Sequence, residues 1–389
     1  MTVLGRHTLQ SSFPECKSLD AVVLSGHAAV MEQSSLLEKL AERNGQAGRM
    51  NWLGYFLSKS VFGRKRPYLV LIVKPGVTAQ SLQLEDVHAA ALLFEYRILG
   101  LPTRAFSTDN MFGFRTVIAP AEERDTVAAM AADILLEHGA QIVLVSYCNP
   151  AQCTTKLEPT LRHQARWAWQ TRWRAIALPL ESTIKATLAK LGKSTRFNLG
   201  YYRRRLEQVM PCEFVADARG LLREGELKAL NAGSINPVRW SKFLLQWESS
   251  CQEPGGFIVG LRSAQGQWLS LIGGWRQADV SVLYWQMNAA GYEKLSISTV
   301  MRSYFLEHEV GHGAKTLIIY GGTAHSIGHA FVREEVTDLV VQRRSWHAAA
   351  LYVVIKMLAS PLSFIRTNSL LIRTITNKDL HWHSADAKV

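Results

Sequence analysis

His308, Glu309 and His312 stand as H-E-x-x-H in a run that reads LEHEVGHGAKTLIIYGGT from residue 306. On a helix, residues four apart share a face. Two imidazoles at that spacing can bind one zinc ion while the glutamate beside them takes a proton from water. A peptidase centre of this kind also needs a helix that continues past the second histidine, and a third protein ligand. Here Gly311 and Gly313 flank His312, and the β-prone run 316–320 follows. The spacing predicts a helix that ends near His308 and leaves His312 in a turn. No H-x-x-G-x-x-H extension follows, and Glu334 or Glu335 is the available third ligand downstream. The expectation is therefore no metal site, with the histidines at the negative end of a helix dipole.

A second group of chemistry-bearing residues is basic. Residues 156–205 hold twelve Lys or Arg against Glu158 and Glu181, which accounts for most of the chain's formal charge of +12. Such a patch points to an anionic partner: phosphate, nucleic acid or an acidic membrane face. Within it, Trp167, Trp169 and Trp173 alternate with Arg166, Arg172 and Arg174. One reading is a stacking platform for bases. The other, favoured by the alternation, is a half-buried strand with indoles inward and arginines in water. Further on, Arg196 and Arg203 lie seven apart on one helical face with Gly200 between them. That face either holds an anionic ligand against the backbone, together with Lys193, or is simply solvated.

These side chains need elements to position them. Strands are expected at 68–73, 141–147, 257–262, 268–276, 280–287, 316–320 and 336–341. Helices are expected at 121–138, at 183–191 with Ser182 as N-cap, and from Ser194 to Val209 before Pro211. Two more are expected at 296–308 and 324–333. On the helix ending at Val209, the stripe Leu199, Tyr202, Leu206 and Val209 predicts the buried side. Residues 87–99, VHAAALLFEYRIL, fit helix and strand equally. The apolar stretch 346–365 is broken by Lys356 and Pro361; docking on the core is expected, with peripheral membrane contact the alternative.

With 389 residues, 48% of them apolar and 20% charged, the chain has the composition of a folded protein and is long enough for two domains or one large fused fold. Its five cysteines form no C-x-x-C pair, so neither a disulfide framework nor a zinc ribbon is implied. The first twenty residues lack a signal-peptide core, and no long uncharged apolar run is present; a cytoplasmic protein is expected.

The segment LAKLGKSTRFNLGYYRRRLE resembles the L-S-K-K-x-R-x-N-L-R-R-x-x-R-x-L-E stretch of GNAT-like acetyltransferases of the CelD, cellulose-biosynthesis-associated type. The matching residues are Leu191, Lys193, Thr195, Arg196, Asn198, Leu199, Arg203, Leu206 and Glu207. The order β-β-β-α-β-α-β over the C-terminal half is similar to the GNAT core, and FemAB-type aminoacyltransferases are relatives of that group. The resemblance implies an α/β (α+β) chain of tandem GNAT-like folds with mixed, mostly antiparallel sheets. Its parts would be an N-terminal half (1–160), a basic connector with helix (161–210), a C-terminal acyltransferase half (211–345), and a helix and tail (346–389). It also implies acyl-CoA, such as acetyl-CoA, as cosubstrate, with no permanently bound cofactor, and an amine acceptor such as an amino sugar or a polysaccharide or cell-envelope precursor.

The usual Q/R-x-x-G-x-G/A pyrophosphate loop is replaced by Asn288-Ala289-Ala290-Gly291-Tyr292-Glu293-Lys294. Donor binding is then expected at Gly291, Ser296, Ser298 and Thr299, where a helix N-terminus offers amides to an anion. Substrate contacts fall on Lys193, Arg196 and Arg203. Tyr320, at a strand end before Gly321-Gly322, and His325 are the acid/base candidates, with Glu293 behind them. Two other readings of the same residues are tRNA-dependent aminoacyl transfer and a non-enzymatic RNA-binding protein; the basic segment suits both.

Overall fold

The computed structural model describes residues 8–10, 18–45, 65–98, 100–108, 116–146, 165–252, 255–319, 330–359 and 383–384. The chain divides into two compact units, Met1–Arg174 with Glu334–Val389, and Ala175–Arg333. Among the described residues each unit is a mixed sheet flanked by helices.

In the first unit, β1 (Thr8–Gln10), β2 (Ser18–Ser25), β3 (Lys65–Val73), β4 (Val87–Ile98) and β5 (Leu101–Ser107) pair antiparallel in chain order. Helices α1 (His27–Met31) and α2 (Ser34–Arg43) follow β2, and the short β6 (Val117–Ile118) pairs with β4. Helix α3 (Arg124–Glu137) then leads to β7 (Ile142–Ser146), which runs parallel to β5. β4 was ambiguous in sequence because both of its faces are covered. Ala89, Ala91 and Leu93 pack in one cluster with α3, and Ala90, Leu92 and Phe94 are buried as well. A strand buried on both faces loses its period of two. α3 is buried nearly all round, including Asp125 and Asp133, which explains its lack of a polar stripe.

β8 (Ala165–Pro179) carries the tryptophan–arginine alternation as a strand; Trp167 is buried in the first unit's core, and Arg166 donates to Gln342 Oε1.

In the second unit, α4 (Ile184–Ala189) and α5 (Lys193–Val209) precede β9 (Cys212–Val215). Next come α6 (Glu224–Ala232), α7 (Trp240–Gln252), β10 (Gly256–Ser263), β11 (Trp268–Gln277) and β12 (Val280–Asn288). β9 to β12 pair antiparallel in chain order. Helix α8 (Ile297–Gly311) crosses to β13 (Thr316–Ile319), which runs parallel to β12. This repeats the β2–β5, α3, β7 order of the first unit: an antiparallel meander, a crossover helix and a parallel strand. The core is built from Ile297, Val300, Met301, Phe305 and Leu306 of α8 against Leu199 and Leu206 of α5 and the sheet. Each such large apolar side chain contributes about 1.5–3 kcal/mol on burial.

Several expectations are corrected. Thr183, not Ser182, caps α4, its hydroxyl accepting from the Ala186 amide at 3.2 Å. α5 begins at Lys193 with Gly192 as N-cap, so Ser194 is inside the helix. Val209 is 65% exposed because α5 has only its Leu199–Leu206 stretch on the core. α8 extends to Gly311, three residues beyond the expected end. The run expected as the second unit's last strand is β14 (Val332–Arg343), and its residues Asp338–Gln342 pair antiparallel with β7 in the first unit. The helix expected at 324–333 lies largely outside the described residues, and Val332 already belongs to β14. Of the expected connector, 165–174 belongs to the first unit, and α4 and α5 belong to the second.

After β14, α9 (Trp346–Ala359) packs Leu351 and Tyr352 on Ala105, Ile142, Leu144 and Val340. β15 (His383–Ser384) pairs with β8. No helix among the described residues is long and apolar enough to cross a membrane.

Candidate functional site

Among the described residues, β12 and β13 pair from Val280–Leu283 to Thr316–Ile319. Beyond Leu283, β12 continues through Tyr284–Asn288 paired with β11, and the Asn288 carbonyl also accepts from the Ile235 amide at 3.2 Å. A register shift at Gly273/Gly274 places Tyr284 opposite no partner on β11, and such a bulge increases the local twist of the strand. Glycine is required there. A Cβ on Gly273 would lie 2.2 Å from the Trp285 indole, and one on Gly274 would lie 1.8 Å from the Val282 carbonyl oxygen. The result is a strand edge that ends at a helix N-terminus.

The chain reaches that N-terminus through a 3-10 turn, Glu293–Leu295, and through Ser296 in the left-handed region at φ +47°. A non-glycine residue there is strained, and strain of this kind gathers at sites the surrounding structure holds in place. Ser296 carbonyl accepts from the Thr299 amide at 2.8 Å and the Val300 amide at 3.1 Å. The amides of Ile297 and Ser298 have no acceptor among the described residues. They are the two groups that the helix offers to an anion. Of the expected donor-binding residues, Ser298 therefore supplies a free amide and Ser296 the turn. Thr299's amide is already bonded, and Gly291's donates to the Glu293 carboxylate at 3.0 Å. Glu293 is exposed, and the amides of Gly291 and Glu293 hold its carboxyl below the usual range. That makes it a weak base.

Two residues that sequence reasoning missed sit beside this edge. Gln286 Nε2 donates to the Ser298 carbonyl at 3.3 Å and to Asn288 Oδ1 at 3.1 Å. Its Oε1 accepts from Arg302 Nε at 3.1 Å. Ser270 Oγ closes the chain by donating to Asn288 Oδ1 at 2.8 Å. A signal for Arg302 was present: Ser298, Thr299, Phe305 and Leu306 occupy the positions three and four away, so no carboxylate on its own helix can pair with it.

The basic helix divides its expected substrate residues. Arg196 and Lys193 are exposed. Arg203 is engaged within the fold: it bonds Glu207 at 3.2 Å and Glu307 at 2.5 Å, and its guanidinium lies 3.9 Å from the Tyr304 ring centroid. Tyr304 hydroxyl donates to Glu207 at 2.5 Å, and burial with that bond pushes its pKa up to about 12. A Cβ on Gly200 would meet only the Arg204 guanidinium, 3.2 Å from an Nη atom of that exposed side chain. On the outer side of the same helix, Phe197 and Tyr201 are exposed and stacked, with centroids 5.6 Å apart.

The H-E-x-x-H residues lie on and just beyond α8. His308 and His312 have ring centroids 4.1 Å apart, and His312 is the C-cap. Glu309, fully buried, shares the Arg276 Nε–H between its two oxygens at 3.0 and 3.2 Å and accepts further from Arg276 Nη2 at 2.6 Å and from the Ser281 hydroxyl. Its lone pairs are directed into the core, away from any water that the histidines could hold. Among the described residues no group of three His, Cys, Asp or Glu is arranged to hold a metal ion. Tyr320 and His325 lie outside the described residues.

No family model matches the chain, and no curated protein matches it in sequence. Its fold is similar to solved structures. L-PGS from Bacillus licheniformis has a TM-score of 0.47 at 12% identity, covering 88% of this chain and 97% of that one. FemX has a TM-score of 0.48 at 10% identity, covering 81% and 96%. A tandem GNAT protein from the clavulanic acid biosynthesis pathway has a TM-score of 0.40 at 10% identity, covering 84% and 99%.

A groove of about 280 Å³ adjoins the end of β12, lined by Glu226, Leu230, Gln267, Trp268, Ala289 and Ala290 among others. The Trp268 indole N–H is buried beside it without an acceptor among the described residues.

Proposed function

We propose that the second unit is an N-acyltransferase domain that takes an acyl group from a coenzyme A thioester, with acetyl-CoA the simplest donor, and passes it to an amine. The observation that carries this reading is the edge of β12 beyond Leu283, which leads to the free amides of Ile297 and Ser298. An extended thioester arm can add to an unpaired strand edge through backbone hydrogen bonds, while its phosphates meet the helix N-terminus. The amine nitrogen would attack the thioester carbonyl, the C–S bond would break, and the thiolate would take a proton. Tyr320 is our candidate for that acid and His325 for the base that removes the amine proton. Arg196 and Lys193 are candidates for anionic parts of donor or acceptor. An amino sugar or envelope precursor is the acceptor class that the CelD-type resemblance suggests.

Titrating the purified protein with acetyl-CoA by calorimetry tests the reading. Saturable binding at one molecule per chain is expected. Absence of binding at millimolar donor would remove it.

One observation favours a second reading. The exposed pair Phe197 and Tyr201 lies among Lys193, Arg196 and Arg204, the arrangement that lets bases stack while phosphates are neutralised. Aminoacyl transfer from tRNA, or RNA binding without catalysis, would use that face. Affinity for RNA would fall steeply with salt, whereas affinity for coenzyme A would fall far less.

A further inference from the structure

Arg302 is mostly buried in the second turn of α8, beside Gln286 in the part of β12 that follows Leu283. Its only hydrogen-bond partner among the described residues is neutral: Nε donates to Gln286 Oε1 at 3.1 Å. No carboxylate among the described residues lies within ion-pair distance of it. The stretch 320–329, YGGTAHSIGH, contains no Asp or Glu. Two other arginines bonded to α8 or its neighbours do have a carboxylate, Arg203 with Glu207 and Glu307, and Arg276 with Glu309.

A guanidinium largely removed from water, with no counter-charge among the described residues, is unfavourable, and an anion from outside would supply one. Burial pushes the pKa of Arg302 down to about 10, so it still carries its charge at neutral pH. Its position follows from helix geometry. Side chains on a helix lean toward the N-terminus, which brings a second-turn residue back toward the first turn. Gln286 then ties it there, since the same amide that accepts from Arg302 donates to the Ser298 carbonyl. With Nε fixed, the Nη groups present a fork whose geometry matches two oxygens of a phosphate or carboxylate.

We infer that Arg302, held by Gln286, is an anion-binding residue of the β12 edge and receives a phosphate or carboxylate oxygen of the ligand bound there. This rests on the acyltransferase reading for the identity of that ligand, and it supplies a positive charge to a site whose loop, Asn288–Lys294, lacks the usual phosphate-binding pattern. The donor's pyrophosphate and an acceptor's carboxylate present the same chemistry to the guanidinium.

The test is calorimetric titration of the whole chain and of the Arg302→Gln and Arg302→Lys variants with three probes: acetyl-CoA, inorganic pyrophosphate and succinate. The expected result is binding of at least one probe, weakened about tenfold or more by Arg302→Gln and partly restored by Arg302→Lys. The probe that responds identifies the source, phosphate or carboxylate. Thermal unfolding without ligand separates binding from structure: Arg302→Gln should unfold at the same or a higher temperature, because an uncompensated charge has been removed. A marked drop in that temperature would make Arg302 a structural residue and overturn the inference. Undiminished binding of acetyl-CoA by Arg302→Gln would overturn it while leaving the donor reading intact. Pyrophosphate or succinate binding that depends on Arg302, with no acetyl-CoA binding, would uphold the anion site and remove the donor reading. Binding of none of the three by the wild-type chain would overturn both.

Discussion

Arg276 and Glu309 form a forked ion pair between β11 and α8, with the Arg276 guanidinium 4.1 Å from the Phe257 ring centroid and Ser281 donating to the same carboxylate. Glu309 has no exposure to solvent, so removing Arg276 would leave a charge stranded in the core. Breaking a buried pair from one side costs about 3–5 kcal/mol. Arg276→Ala and Glu309→Ala should each lower the unfolding free energy measured in urea by that order. An apolar double variant, Arg276→Met with Glu309→Leu, should recover most of the loss. Additive losses in the double variant would show that the two residues do not act as a pair.

The same pair bears on zinc. With Glu309 engaged by Arg276, the sequence H-E-x-x-H lacks a free base. We expect the purified protein to contain no stoichiometric zinc by elemental analysis. One zinc per chain, lost on His308→Ala, would refute this.

His308 gives the fold a pH dependence. Burial pushes its pKa below the ordinary value of 6.5, and His312 and Arg276 push it the same way, against the opposing pull of Glu309. As pH falls through that range, the unfolded chain takes up a proton that folded His308 resists. Protonation therefore favours unfolding, and stability should decline from about pH 7 toward pH 5. His308→Phe keeps the ring beside Phe214, which lies 5.2 Å away, and removes the titration. The variant's melting temperature should vary less over that interval; an unchanged slope would assign the effect to other groups.

Arg196 and Arg203 should part company on substitution. Arg196 is exposed, so Arg196→Ala should leave stability within about 0.5 kcal/mol and weaken anionic-ligand binding about tenfold if it contacts the ligand. Arg203→Ala loses Glu207, Glu307 and the Tyr304 ring together, and should lower the melting temperature first. Equal stability loss in both variants would contradict the placement.

How much of this was legible depended on whether a residue's partner was near in sequence. The strands at 257–262, 268–276 and 280–287 were visible because Gly, Asp and Asn turns separate apolar runs. β4 was not, since cover on both faces erased its alternation. Val209 fitted the buried stripe of α5 by spacing, but spacing cannot report where the neighbouring core stops. The partners of Glu309 and Arg203 lie 33 and 104 residues away, at Arg276 and Glu307. Those contacts tie both residues into the fold, and no local pattern encodes them. The exchange that places β14 with β7 was likewise invisible, because a strand's sequence records its faces and not its neighbour.

The catalytic expectation concerns Tyr320 and His325. Tyr320 follows directly on Ile319, whose register partner is Leu283, the last residue of β12 that β13 pairs. By sequence it precedes Gly321-Gly322, a pair that tolerates close backbone approach. If the Tyr320 hydroxyl protonates the departing thiolate, Tyr320→Phe should lower kcat roughly a hundredfold or more while donor affinity stays nearly constant. His325→Ala should instead remove the acidic limb of the pH–rate profile, because a base loses activity as it is protonated. The assay is acyl transfer from acetyl-CoA to a panel of amines, with donor binding measured separately. Full activity in both variants would move the acid and base elsewhere. Glu293 would be a poor replacement, since the amides of Gly291 and Glu293 hold its carboxylate in the charged, weakly basic form.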